Sequence, residues 1–237
     1  MDKIIIYQRE VLRALSGRVN EFYLAGGTAL SLFYFGHRLS VDLDFFSQNF
    51  SYSDIERIAG YIGSALKKKV ELKGQNLGGK IAKMAVYNVH FTAKDSLKID
   101  FVEDTVKLLA KTKTVDGINI LSLEDIYLRK LYALAGMVKT LDDAGREGFL
   151  GGRADAKDIY DVYFLSRTFM PLSKFTVKYC NQIMREAVIK WFRTYDRTTM
   201  TDGLPGLKTN QAADYKAIEK HFKKETDGIL DHELGGL

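Results

Sequence analysis

Apolar positions recur along this chain with two periods, and the changes between them mark out its elements. Ile4, Val11, Leu12, Leu15, Val19 and Phe22 fall on one stripe at helical spacing, which predicts an amphipathic helix over residues 3–20. Gly26 and Gly27 interrupt, residues 28–35 read as a second helix, and residues 41–46 read as a strand. Helical spacing returns over 53–68, with Ile55, Ile58, Ala59, Ile62 and Leu66 inward and Lys67, Lys68 and Lys69 as a solvated helix end. Extended runs follow at 70–73, 80–91 and 97–102, the last two joined by a turn through Ala93, Lys94, Asp95 and Ser96. Residues 115–120 read as a further short strand with a turn at Asp116 and Gly117. From Ser122 the pattern is mainly helical, with a helical run from Pro171, a loop over 201–207 and a frayed end over 233–237. The shift sets a boundary near 121, with a mixed sheet and helices over 1–121 and a helical region over 122–237.

Composition narrows the classes. With 46% hydrophobic and 12% aromatic residues over 237 positions, the chain builds a sizeable core and is not disordered. Thirty-five Lys and Arg against 30 Asp and Glu give a formal charge of +5, a mild lean toward polyanionic partners such as RNA. The single Cys180 excludes an internal disulfide framework and suits a reducing compartment. The N-terminal apolar run is too short for a signal peptide, and no segment approaches the ~20 apolar residues of a membrane span, so the expected location is cytoplasmic.

The candidate chemistry starts with Asp42 and Asp44, set among Val41, Leu43, Phe45 and Phe46. In a strand, residues i and i+2 share a face roughly 6.5 to 7 Å apart. Two carboxylates at ~4 Å repel by about 4 kcal/mol at an effective dielectric of about 20, so a converging pair calls for a cation or a proton. Asp100 is a third acid inside an extended run; if its strand neighbours the first, the three form a cage for one or two Mg²⁺ (or Mn²⁺) ions, and alone it reads equally as a strand-edge residue. Gly26, Gly27 and Thr28 open a helix whose free N–H groups favour a phosphate, although a glycine pair before a helix also reads as a plain turn. Lys130 stands on the stripe of Leu123, Ile126, Tyr127 and Leu134, so its ammonium must snorkel out or meet an anion. Asp158 shares a helix face with Val162 and Leu165 and has three readings: orienting Lys130, acting as a base, or capping the helix. Asp161 is a weaker candidate. His37 reads as a packing or hydrogen-bonding residue, because no second His or Cys sits at ligand spacing. Trp191 among Arg185, Lys190, Arg193 and Arg197 offers a basic aromatic face for RNA, with a solvated basic helix face as the plainer reading.

A Gly-Gly helix mouth, an Asp-x-Asp strand and a later strand Asp together resemble the nucleotidyltransferase superfamily typified by polymerase beta. More narrowly, Ala25-Gly-Gly-Thr-Ala-Leu30, His37-Arg-Leu-Ser40 and Asp42-Leu-Asp-Phe-Phe46 resemble the AbiEii/AbiGii-type toxin family of bacterial nucleotidyltransferases. Lys130-Leu-Tyr-Ala-Leu134 and the stretch from Gly152 to Leu165 are similar to its later motifs, so the resemblance covers residues 24–165. It implies an α/β nucleotidyltransferase fold, a mixed β-sheet flanked by helices, followed by a mainly helical C-terminal region that completes the active-site cleft. It further implies nucleotide contacts at Gly26, Gly27 and Thr28, with Arg38 and Ser40 protruding toward the phosphates. Asp42, Asp44 and Asp100 would hold magnesium, Lys130 would bind the triphosphate, and Asp42, Asp44, Asp100, Lys130 and Asp158 would be the catalytic set. The implied activity moves an NMP from an NTP to a tRNA 3′ end, in a growth-arrest or phage-defence role with a separately encoded antitoxin. The rivals are a small-molecule or protein acceptor, and a non-catalytic binding module of the same fold. Residues after 165 are expected to shape the acceptor site.

Overall fold

The structure, a computed structural model, describes residues 2–79, 82–136, 138–141, 147–150, 152 and 155–235; Arg153 of the last motif and the start of the 80–91 run lie outside these. The chain divides into two compact units, Met1–Gly36 with Ser40–Ser122, and His37–Leu39 with Leu123–Leu237.

Unit 1 begins with helix α1 (Lys3–Leu15) and strand β1 (Tyr23–Ala25), which leads directly into α2 (Gly26–Ala29) and a π-helical stretch, Leu30–Phe35. Strand β2 (Leu43–Ser47), helix α3 (Tyr52–Leu66) and strands β3 (Lys69–Asn76), β4 (Met84–His90) and β5 (Ser96–Glu103) follow, closed by β6 (Lys113–Val115) and β7 (Ile118–Ile120). Asp2 and Ser51 cap α1 and α3, their side chains accepting from the N–H groups of Ile4 and Asp54. The seven strands form one sheet in the order β3-β4-β5-β2-β1-β7-β6, parallel at β2–β5 and β1–β7 and antiparallel elsewhere. Alternation along β2, β4 and β5 buries Leu43, Phe45, Ala85, Tyr87, Val89, Leu97, Ile99 and Phe101. α3 packs on β3 and β4, α1 packs on β5, and the two helices pack on each other. The opposite face of β2 and β5 is half-buried and carries Asp44, Lys98 and Asp100 beside Phe46 and Val102.

Several sequence expectations shift in unit 1. α1 ends at Leu15 rather than residue 20 because the Gly17 N–H leaves the helical ladder for the Gly117 carbonyl at 2.8 Å; Val19 and Phe22 remain buried outside it. The expected single strand over 115–120 is a hairpin, β6–β7, turning on Asp116 (φ 50°) and Gly117 (φ 73°), the positive-φ pair of a type I′ turn. Lys67 takes the left-handed position after α3, and Lys68 donates to the Phe91 carbonyl at 3.0 Å, so this stretch is not one solvated run.

Unit 2 comprises α4 (Leu123–Ala135), the hairpin β8 (Val138–Leu141) with β9 (Glu147–Leu150), and helices α5 (Ala156–Thr168), α6 (Leu172–Tyr179), α7 (Gln182–Thr194), α8 (Arg197–Gly203) and α9 (Tyr215–Gly235). Asp155, Asn181 and Asp196 cap α5, α7 and α8 through their side chains. α4 packs on α5 and α7, and α9 packs on α6 and α7. The β8–β9 hairpin was not legible in a stretch that reads as helical. The expected loop over 201–207 is partly α8 and a 3₁₀ turn, Leu204–Gly206, and the expected frayed end is helical to Gly235, where Arg185 holds Glu233 at 2.5 Å. His37–Leu39 joins this unit through an antiparallel bridge of Arg38 to Thr209, with the Leu39 N–H donating to Lys208 (2.8 Å) and the Asn210 N–H donating to His37 (3.0 Å). Among the described residues no helix is long and apolar enough to cross a membrane.

A Cβ at position 117 would press on the Ser16 hydroxyl and the Gly17 backbone nitrogen, in a backbone conformation that L-residues avoid. Gly117→Val is therefore expected to cost about 1–3 kcal/mol. Urea unfolding followed by circular dichroism checks this, and an unchanged midpoint would contradict the described turn.

Candidate active site

The parallel register of β2 and β5 sets Asp44 opposite Asp100 and Phe45 opposite Phe101. The phenylalanines point into the core, so the two acids share the other face, on strands about 4.8 Å apart. Lys98, two residues before Asp100, shares that face, and its Nζ lies 2.8 Å from Asp100 Oδ2 and 3.6 Å from Asp42 Oδ2. Burial alone would lower the Lys98 pKa; the Asp100 hydrogen bond and charge, then the charges of Asp42 and Asp44, outweigh it and raise the ammonium above its ordinary range. Sequence reasoning missed Lys98, although its spacing from Asp100 was the same i, i+2 signal used for Asp42 and Asp44.

Asp42 itself lies before β2, which starts at Leu43, and Val41 is 52% exposed, so the expected buried strand over 41–46 is corrected. Side chains hold this loop instead of a ladder. The Thr28 hydroxyl donates to the Asp42 carbonyl at 2.5 Å, and the buried Gln8 amide donates to the carbonyls of Ser40 (2.9 Å) and Asp42 (3.2 Å). Gly26 adopts φ 66°, and a Cβ there would overlap the Asp44 carboxylate. The glycine is thus what lets the start of α2 lie directly against this acid. Asp42, Asp44, Asp100, Gly26, Gly27, Thr28 and Ser40 all belong to unit 1.

The donor set is of the kind a hard divalent cation takes, since all three acids offer carboxylate oxygens. Among the described residues, no three His, Cys, Asp or Glu side chains form a ready-made metal shell. The place where the Asp42 and Asp100 oxygens converge is taken by the ammonium of Lys98.

Unit 2 holds a second charged group, and it is buried. Lys130 on α4 places Nζ 2.5 Å from Asp158 and 2.8 Å from Asp161, both fully buried on α5. Arg38, expected to protrude toward phosphates, is 5% exposed and forks onto the two Asp161 oxygens at 2.6 Å each, because a buried carboxylate is best satisfied by a bidentate guanidinium. His37 Nε2 lies 2.7 Å from Asp161 Oδ1, and the His37 ring stacks on Tyr160. Burial would raise the Asp161 carboxyl; Lys130, the His37 hydrogen bond and Arg38 reverse this and hold it far below the usual range. The choice posed for Lys130 resolves as an internal anion, and Asp158 holds its ammonium. Asp161, ranked low from sequence, is the hub, and its signal was the i+3 spacing from Asp158. Trp191 is only 8% exposed, packed on Tyr195 and Phe222, with Arg185 and Arg197 turned to Glu233 and Glu219, so it offers no stacking face.

A mixed sheet with a glycine-led helix against acids on two parallel strands is the nucleotidyltransferase fold. The family described as nucleotidyl transferase AbiEii toxin, type IV TA system, matches residues 10–234, so the chain belongs to that family and is a nucleotidyltransferase. A curated relative, the uncharacterized protein aq_aa25 of Aquifex aeolicus (strain VF5), is 30% identical over 171 residues, covering 70% of this chain and 69% of that one. The structure of JHP933 from Helicobacter pylori is similar with a TM-score of 0.60 at 18% identity, covering 100% of this chain and 98% of that chain. A second Helicobacter pylori structure, assigned to the nucleotidyltransferases, gives 0.59 at 17% identity over 97% and 96%. Both likenesses speak to fold. Membership of a type IV toxin–antitoxin family implies an NTP substrate and an antitoxin partner.

Asp161→Asn removes the charge that Arg38 and Lys130 share and is expected to cost about 3–5 kcal/mol near pH 7. A carboxyl held below its unfolded value of about 3.9 stabilises the fold above that value and loses the contribution as pH falls. The gap between the urea midpoints of wild type and Asp161→Asn should therefore narrow as pH drops below about 4; a gap independent of pH would show that the charge is not what stabilises.

Proposed function

We propose that the chain transfers an NMP from an NTP to a tRNA 3′ end in the cytoplasm, acting as the toxin of its system, with a magnesium or manganese ion held by Asp42, Asp44 and Asp100. The observation that carries the metal reading is the cation already drawn in among these acids, the Lys98 ammonium 2.8 Å from Asp100 and 3.6 Å from Asp42. When bound, the ion would neutralise triphosphate charge and sharpen the attacking hydroxyl. The chain's own groups do the rest. The backbone N–H groups of Gly26 and Gly27 at the start of α2 would receive phosphate oxygens, Gly26 lets that start lie against Asp44, and Thr28 and Gln8 fix the loop that carries Ser40 and Asp42. Lys130, the lysine of the family motif, is held by Asp158 and Asp161 with its side chain 10% exposed, so it fixes α4 on α5 rather than meeting phosphate, and Arg38 acts by holding Asp161. The formal charge of +5 supports a polyanionic acceptor, and the family supports a growth-arrest role.

Incubation with labelled NTPs, Mg²⁺ and separate pools of tRNA, protein and aminoglycoside is expected to place label on tRNA alone. Label on protein or aminoglycoside would overturn the acceptor. Asp42→Ala and Asp44→Ala are expected to lower transfer at least about a hundredfold with an unchanged circular dichroism spectrum; full retention of transfer and of growth arrest would favour a binding module instead.

A further inference from the structure

We infer that Lys98 is the site's built-in counter-cation, which gathers Asp42 and Asp100 before a divalent ion arrives and which the ion must displace to bind. The inference rests on the metal reading above and adds a named competitor to it. Lys98 and Asp100 are fixed on one face of β5, and the β2–β5 register adds Asp44 beside them. The ammonium meets Asp100 Oδ2 at 2.8 Å, hydrogen-bond distance, and Asp42 Oδ2 at 3.6 Å, so it bridges an acid on the sheet and an acid on the preceding loop. A divalent ion needs the same converging oxygens at close to 2 Å and cannot share them with a positive group in contact.

Displacement has an open route. The Lys98 side chain is 42% exposed, against 14% for Asp100 and 29% for Asp42, and a flexible four-carbon stem lets the ammonium swing to water while the carboxylates stay. The contrast with Lys130 is direct: that ammonium is 10% exposed between two fully buried acids and has nowhere to go. Because Lys98 draws Asp42 toward Asp100, the acids are held close without the ion. The same contact taxes the ion's affinity, since an ammonium must leave for every ion that enters.

Mn²⁺ binding to the full chain without nucleotide, read from the electron paramagnetic resonance of free Mn²⁺, tests this in wild type, Lys98→Met and Lys98→Arg. Lys98→Met is expected to bind Mn²⁺ about tenfold more tightly, and Lys98→Arg to return toward wild type. The metal-free melting temperature of Lys98→Met should fall and recover with Mn²⁺. A merely structural lysine would leave the affinity equal or weaken it, and either result with a native circular dichroism spectrum overturns the inference. Lys98→Gln, which keeps a hydrogen-bond donor without the charge, gives the same reading if Lys98→Met does not fold. Equal Mn²⁺ binding by all variants sinks this inference alone, whereas no binding by any, wild type included, sinks the metal reading with it.

Discussion

Carboxylates that meet at low exposure need a positive partner, and both units of this chain are organised around that need. In unit 1 the parallel register of β2 and β5 sets Asp44 beside Asp100, and a loop tied down by Gln8 and Thr28 brings Asp42 to them. In unit 2, Asp158 and Asp161 lie one helical turn apart and fully buried. The first group is answered by one half-exposed lysine, the second by a lysine and an arginine that are almost wholly enclosed. Exposure separates their roles. A solvated ammonium is an exchangeable occupant, while buried ions that satisfy one another are fixed parts of the fold, costly to break singly.

The β5 strand shows how one sequence pattern serves packing and chemistry together. Leu97, Ile99 and Phe101 supply one wall of the core, and the residues between them, Lys98 and Asp100, are carried to the opposite face by the same pleat. The core therefore aims the site: a one-residue slip of β5 would bury both charges and expose three large apolar side chains. Phe101, ringed by Phe22, Phe45 and Tyr87, resists that slip.

The α/β character was readable from the chain, since period-two and helical runs alternate clearly through residue 120. Asp42, Asp44 and Asp100 were readable as acids set among apolar neighbours. What placed Asp100 beside Asp44 was the strand order, which depends on long-range pairing that no local pattern encodes. Lys98 was overlooked because a lysine in a strand usually reads as solvent-facing, and only the neighbouring strand supplies its second acid. Asp161 was underrated for the same reason: two of its partners, His37 and Arg38, lie more than a hundred positions away in sequence. Helix ends moved where tertiary bonds intervened, as when Gly17 bonds Gly117 and stops α1 early.

The three residues His37–Leu39 are structurally members of a unit whose remaining residues begin at Leu123. They add a short extended piece beside Lys208, Thr209 and Asn210 and deliver the arginine that neutralises Asp161. The C-terminal half is consequently not a separable module. A fragment cut at residue 123 would leave Asp161 short of its guanidinium and the backbone around 208–210 without its edge partner, so dissecting this protein into halves by sequence alone breaks the very half it sets out to isolate.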